Sequence, residues 1–219
     1  MAAFSKGPTP LAEALRMIRA PLIAVLALAS ALSAQAVSAE PEPQTRDPAK
    51  APAGHYELDR RHVSLIARVS HLGLSDYTLR LDRLDGHFDY DPAHPEASQV
   101  VASVDPASLD VGDAGISRQF AGQFLGTDEA PQITFTSTAI QLTDPTHGTV
   151  TGDLNFHGVT RPVTLAVTFD GYGASLIGGQ RLGFSAVADI RRSDFGSTAF
   201  LNEVGDTVHL VIEAEFTRQ

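Results

Sequence analysis

From Tyr56 almost to Gln219, apolar and polar residues alternate with a period of two in short runs broken by turn-forming clusters. That is the pattern of β-strands with one oily and one wetter face. Two runs are clean: Val163, Leu165, Val167 and Phe169 alternate with Thr164, Ala166, Thr168 and Asp170, while Val208, Leu210, Ile212, Ala214 and Phe216 alternate with His209, Val211, Glu213 and Glu215. Noisier runs cover Val63 to His71, Tyr77 to Tyr90, Gln99 to Asp105, Gln132 to Leu142, Thr149 to Phe156 and Arg181 to Ile190, which makes about eight strands. Turn formers separate them: Asp91-Pro92, Asp144-Pro145 with His147-Gly148, Gly171 to Gly173, and Gly178-Gly179. One segment keeps a different period. From Asp113 to Gly126, Ile116, Phe120 and Phe124 fall four apart, which predicts helical turns with an apolar face and Asp113 as N-cap.

Consecutive antiparallel strands with short connections close on themselves to remove exposed edges, as a barrel or as a sandwich. An eight-stranded barrel has an interior just wide enough to be filled by side chains or to hold one small ligand, and periodicity does not separate these cases.

Upstream of the strands, Lys6, Arg16 and Arg19 precede an apolar run from Pro21 to Leu32, and small residues end at Val37-Ser38-Ala39. This order is that of a secretory signal, expected over residues 1–39, with Ala34-Gln35-Ala36 as an alternative cleavage site. A run of about a dozen apolar residues falls short of the ~20 needed to span a bilayer, so no transmembrane anchor is expected after cleavage. Arg16 and Arg19 are not adjacent, so the twin-arginine route is not indicated. Glu40 to Ala53 holds four prolines and no large apolar residue, and residues 40–54 are expected to form a disordered leader to a domain spanning 55–219.

The remaining 180 residues suit one domain with a sizeable core. Three of the 16 basic and one of the 26 acidic residues lie in the signal, so the exported chain has a formal charge of −12. Such a surface repels phosphate backbones and anionic headgroups, which argues against nucleic acid as a partner. The chain has no cysteine, so neither a disulfide nor N-terminal acylation of cysteine is available, and the exported protein is expected to be freely soluble.

Several segments carry a resemblance: Tyr56-Glu-Leu-Asp59, His62 nine residues before His71, His71-Leu-Gly-Leu-Ser75, Pro131-Gln-Ile-Thr-Phe-Thr-Ser137, Val150-Thr-Gly-Asp-Leu154, His157-Gly-Val-Thr-Arg-Pro-Val-Thr-Leu165 and Arg192-Ser-Asp-Phe-Gly196. In order and spacing they resemble the YceI family over essentially the whole domain. The resemblance implies an all-β fold, an eight-stranded antiparallel lipocalin-like β-barrel with a short helical segment covering one end. It also implies a periplasmic location and an elongated apolar channel that holds a long isoprenoid such as a polyprenyl quinone tail, with no catalytic residues and no cofactor. The sequence departs from the family where Ala67 replaces a common aromatic, Gln119 a frequent histidine and Leu125 one member of a frequent Phe-Phe pair.

On that reading, the inward side chains Leu65, Val69, Leu81, Phe88, Ile133, Phe135, Leu154, Phe156, Leu165, Val167, Phe184, Leu210 and Ile212 are candidates for the channel wall, and Ile116, Phe120 and Phe124 for a lid. A chain burying on the order of 500 Å² would gain roughly 12 kcal/mol gross, before the costs of immobilisation, so oily contacts alone suffice to hold it.

Other chemistry finds less support. His62 and His71 are an odd number of residues apart, which puts them on opposite faces of a regular strand rather than around one ion. They and His157, before Gly158, read as structural residues at strand ends and turns. Glu213 and Glu215 share a face about 7 Å apart, but it is the one opposite Leu210 and Ile212 and should meet solvent. Arg191, Arg192 and Asp194 are expected in a salt-bridged turn near the channel mouth. There is no Gly-x-Ser-x-Gly elbow, phosphate-binding glycine loop or Cys-x-x-Cys. The leading expectation is a non-enzymatic carrier for an isoprenoid or other long-chain lipid. Its rivals are an enzyme using His71, Asp194 or Arg192 at the barrel mouth, and an interaction module for a membrane redox partner. Nothing in the pattern fixes whether the chain acts alone or as a homodimer.

Overall fold

The computed structural model describes residues 44–175 and 179–219. Strands β1 (Gly54–His71), β2 (Ser75–Leu81), β3 (Leu84–Tyr90), β4 (Val100–Val104) and β5 (Leu109–Asp110) precede the helix α1 (Ala114–Leu125), and β6 (Ile133–Leu142), β7 (His147–Phe156), β8 (Val159–Ala174), β9 (Gln180–Arg191) and β10 (Val204–Arg218) follow it. β1 pairs with both β3, through Gly54 to Glu57, and β2, through Leu65 to His71, so β2 and β3 are two lengths of one wall strand. β4 and β5 continue each other in the same way against β3 and β2. Every pairing is antiparallel, and β10 returns to β1, so eight wall positions close into a ring. Closure leaves the ring without free edges, which a sandwich would not.

The noise in the sequence pattern has a geometric cause. Each bulge adds a residue to one strand and moves the inward set from odd to even positions or back. In β1 the register shifts between Leu58 and Val63, so both face the interior although they differ in parity. Tyr77, Leu79 and Leu81 point inward from β2, but Leu84 and Phe88 do so from β3, with Asp82 and Arg83 absorbing the change. The shift between Ser137 and Ala139 likewise joins Ile133 and Phe135 to Ile140 and Leu142. β8 and β10, the clean runs, keep one parity from Val163 to Phe169 and from Val208 to Phe216.

α1 begins where expected: the Asp113 carboxylate accepts hydrogen bonds from the N–H groups of Gly115 (2.8 Å) and Ile116 (2.9 Å). It ends at Gly126, whose φ of +66° and approach to the His157 ring leave no room for a Cβ. At one end of the ring, the tip between β7 and β8 is His157-Gly158, with φ of +53° and +75°, the left-handed pair of a tight hairpin.

Two expectations about loops change. Gly171 to Gly173 is not a turn but lies within β8, after a register shift at Phe169. Residues 44–53 of the segment expected to be a disordered leader pack there, the earlier part lying outside the described residues: Thr45 and Tyr172 exchange backbone hydrogen bonds of 2.9 and 2.8 Å, and a Cβ on Gly173 would strike Gln44. The same segment forms a 3-10 turn at Pro48–Lys50, buries Ala51 and accepts hydrogen bonds at the Pro48 and Pro52 carbonyls from the hydroxyls of Tyr90 (3.1 Å) and Tyr56 (2.8 Å). Its prolines lower the entropy lost on ordering, so small apolar groups and tyrosine hydrogen bonds are enough to hold it. The predicted signal over 1–39 and residue 178 of the Gly-Gly turn lie outside the described residues.

Candidate functional site: an apolar channel through the barrel

The barrel encloses a cavity of about 950 Å³. Its lining on β1 runs from Leu58 to His71. With the bulge counted as two ladder steps, at ~3.3 Å per step and a tilt of ~40°, that stretch spans roughly 25 Å along the barrel axis. The cavity is a long channel with a wall of aliphatic and aromatic carbon.

The structure brings together most of the residues singled out from sequence. Leu65 and Val69 of β1, Leu81 of β2, Phe88 of β3, Ile133 and Phe135 of β6, Leu154 and Phe156 of β7, Leu165 and Val167 of β8, Phe184 of β9, and Leu210 and Ile212 of β10 all line the channel, as do Phe120 and Phe124 of α1. Ile116 does not; it is exposed on the outer side of the helix. A spacing of four advances the face by ~40° per step, so over two steps Ile116 rotates ~80° away from Phe124. Sequence reading passed over Val163, Phe169, Val208 and Phe216, although the same alternation marks them, and Leu58, Tyr77 and Ile140, which the parity changes hide.

Aromatic residues pack around one end. Tyr56 is fully buried and stacks on Phe88 at 5.5 Å between centroids; Phe88 meets Phe216 edge-on at 4.9 Å and Phe184 at 5.8 Å, and Phe169 meets Phe184 at 5.5 Å. Burial pushes the Tyr56 phenol up to about 12. At the same end the exposed residues Asp47, Pro145 and His147 border the channel.

At the helix end the channel reaches the surface between α1, the β1–β2 turn and the segment before β10. His71, Gln119, Gln123, Phe200 and Glu203 there are exposed and line the channel. Below them, Arg192 is buried and donates hydrogen bonds to the carbonyls of Gly205 (2.9 Å), Ser197 (2.9 Å) and Val204 (2.7 Å), with its guanidinium 5.7 Å from the Phe124 ring. Burial pulls its pKa down, against the opposing attraction of Asp206. Asp206 accepts from Arg191 at 3.0 Å and from the N–H and hydroxyl of Ser193, so the expected salt-bridged turn forms through Asp206 rather than Asp194. Asp194 is exposed and away from the channel, so His71, Arg192 and Asp194 do not converge on one point in it.

The other charged cluster lies outside the wall, at the β1 bulge. Arg181 bridges Asp59 and Glu215 at 2.7 Å each, and His62 lies 2.9 Å from Asp59. Burial works to raise the Asp59 pKa, but hydrogen bonds from the Arg61 N–H, His62 and Arg181 outweigh it and hold the carboxyl well below the usual carboxylate range. Mid-wall positions Arg68, Asp153, Asp189 and Glu213 are exposed. The barrel is thus oily inside and charged outside, the reverse of a transmembrane barrel with a lipid-facing apolar band. No described helix is long and apolar enough to cross a membrane. Among the described residues no group of three histidine, aspartate or glutamate side chains is placed to hold a metal ion.

A closed antiparallel barrel around a long apolar channel, covered at one end by a helix, defines the class. The model of the YceI-like domain family matches residues 56–216, and the chain belongs to that family. A UPF0312 protein of Ectopseudomonas mendocina is 34% identical over 173 residues, 78% of this chain and 91% of that one. Protein YceI of Shigella flexneri is 34% identical over 170 residues, 76% of this chain and 88% of its own. Among solved structures, Burkholderia cenocepacia BcnA superposes with a TM-score of 0.65 at 26% identity, covering 72% of this chain and 98% of its own. A Saccharophagus degradans domain described as polyisoprenoid binding shares the fold, with a TM-score of 0.55 at 17% identity, covering 75% of this chain and 98% of its own.

Proposed function

We propose that the protein is a periplasmic carrier for a long-chain apolar molecule, an isoprenoid or similar lipid, held along the barrel channel. The observation that carries the reading is the channel itself, a cavity of about 950 Å³ walled by apolar side chains from β1 to β10 and from α1. Left dry, a space of that volume would deny its apolar lining the dispersion contacts that a packed core makes. Water inside would find few polar partners along such a wall. A flexible hydrocarbon meets both conditions, and its length suits a channel of roughly 25 Å better than a compact ligand would. The fold shared with a domain described as polyisoprenoid binding supports the same class of ligand, and the leading segment with its charged, apolar and small-residue regions supports export.

The test is to purify the protein as the cell processes it, extract it with organic solvent and identify what comes out by mass spectrometry, then offer the emptied protein a polyprenyl quinone in detergent. A stoichiometric long-chain lipid in the extract and saturable uptake are expected. An empty extract together with no uptake overturns the reading.

A further inference from the structure

The geometry points to docking of the helix end of the barrel onto the surface of an uncharged lipid bilayer, with the channel mouth facing the membrane. This rests on the carrier reading above and says where the ligand enters.

Large apolar side chains are left in solvent at this end. Leu72 and Leu74, at the β1–β2 turn, are 54% and 83% exposed, and Phe200, before β10, is 55% exposed, with Leu201 beside it. They form one rim. The Leu72 N–H donates to the Glu203 carbonyl at 2.7 Å, His71 pairs with Val204, and the Phe200 ring meets Phe124 of α1 at 6.4 Å. Leu72 and Phe200 also hold φ of +56° and +53°, a conformation that favours glycine or asparagine. Exposed leucine and phenylalanine at two strained turn positions work against both backbone and solvation, and such residues concentrate where a surface meets a partner.

The rim surrounds the mouth. Phe200 belongs to both, since it lines the channel and stands in solvent. The opposite end carries one such side chain, Leu142 at 50% exposed, set among the exposed polar residues Asp47, Asp144 and His147, against four at the helix end. A long hydrocarbon resides in bilayers, and a mouth pressed into the headgroup layer would let it enter the barrel without crossing water. Residues 72–76 and 200–203, which carry the rim, hold Asp76 and Glu203 but no lysine or arginine, and the chain has a formal charge of −10, so attraction to anionic lipid is not what holds it. The anchor is apolar insertion, which grows with the area buried and resists salt.

The experiment is flotation of the purified, naturally processed protein with phosphatidylcholine vesicles at low and high salt, together with the rate at which it extracts a polyprenyl quinone from them. The variant combines Leu72→Asn with Leu74→Ser; neither residue lines the channel, and asparagine suits the left-handed turn. Wild-type protein should float at both salt concentrations, and the variant should partition at least ~100-fold less, from the transfer value of two leucine side chains. Its extraction should slow while uptake of the same quinone from detergent stays unchanged. Equal flotation and extraction by the two proteins overturns the inference, as does wild-type protein that never floats. A concentration-dependent dimer, seen by sedimentation without vesicles and lost in the variant, combined with no flotation, assigns the rim to a second copy of the chain. Failure of both proteins to take the quinone even from detergent, together with an empty solvent extract, refutes the carrier reading, and flotation alone still decides whether the rim docks.

Discussion

Ala67 offers a test of the channel in which stability and binding should move in opposite directions. It lies in β1 between Leu210 of β10 and Leu79 of β2, and its methyl faces the channel. In Ala67→Phe the ring enters open space, so it gains burial without displacing packed neighbours. That is worth up to about 2 kcal/mol, or a rise in Tm of roughly 4–8 °C for a domain of this size. In a filled barrel the same ring would overpack, costing about 1–3 kcal/mol and lowering Tm. For the ligand, the ring occupies the place of about five chain carbons; at ~0.8 kcal/mol each this removes ~4 kcal/mol, roughly a thousandfold in Kd. The assay is thermal melting of delipidated protein beside titration with a polyprenyl quinone. A fall in Tm with unchanged affinity would refute the reasoning about the interior.

Three further outcomes follow from named contacts. The buried Tyr56 phenol, raised from 10.0 to about 12, keeps its proton in the folded state where the unfolded chain has lost it. Its contribution is fully present below pH ~10 and lost as pH rises through ~12, with a slope of up to about 1.4 kcal/mol per pH unit, so alkaline denaturant titrations of Tyr56→Phe should show a shallower slope. Asp113→Ala removes two N-terminal hydrogen bonds of α1 and should cost ~1 kcal/mol, read as a fall in Tm of 2–4 °C; no change would mean that packing alone sets the helix start. Arg192→Met leaves three carbonyls at the mouth without their donor and should cost at least ~3 kcal/mol by urea unfolding, whereas a neutral result would show that water replaces the guanidinium there.

The fold was legible because alternation is a local consequence of strand geometry, and β8 and β10 keep it unbroken. What the sequence hid lies at the bulges. The start of β1 was unreadable because Asp59-Arg60-Arg61-His62 interrupts the alternation; in three dimensions these residues form the outer bulge where Arg181 bridges Asp59 and Glu215. The packed segment from 44 to 53 was unreadable for another reason. Its carbonyls receive the hydroxyls of Tyr56, four residues on, and of Tyr90, on another strand, and proline and alanine give no sign of that. Asp113 and Gly126 announce the helix, yet the even spacing that nominated Ile116 conceals a rotation that leaves it outside. Hollowness is the least legible property of all, since filled and open barrels share one pattern and differ only in side-chain volume.

A wall can stay open inside only if its strength lies elsewhere, and the distribution of buried contacts shows where. Tyr56, Phe88, Phe169 and Leu182 form one compact cluster with Ala51 of the leading segment. Towards the helix, Leu65, Leu81, Leu109 and Ala121 form a second, and Phe156, Ile190 and Phe195 a third. The length between is held by the ring of antiparallel hydrogen bonds, which closure completes without any need for a filled centre. Outside, the ion pairs of Arg181 with Asp59 and Glu215 tie β9 to β1 and β10 across the bulge. With the wall closed, the side chains that line the channel need only present an apolar surface, and under the proposed function a long hydrocarbon would supply the contacts that a packed core otherwise makes. On this account emptying the channel should lower stability without opening the ring. If the protein works as proposed, its melting temperature rises with ligand concentration, as expected when only the folded state binds.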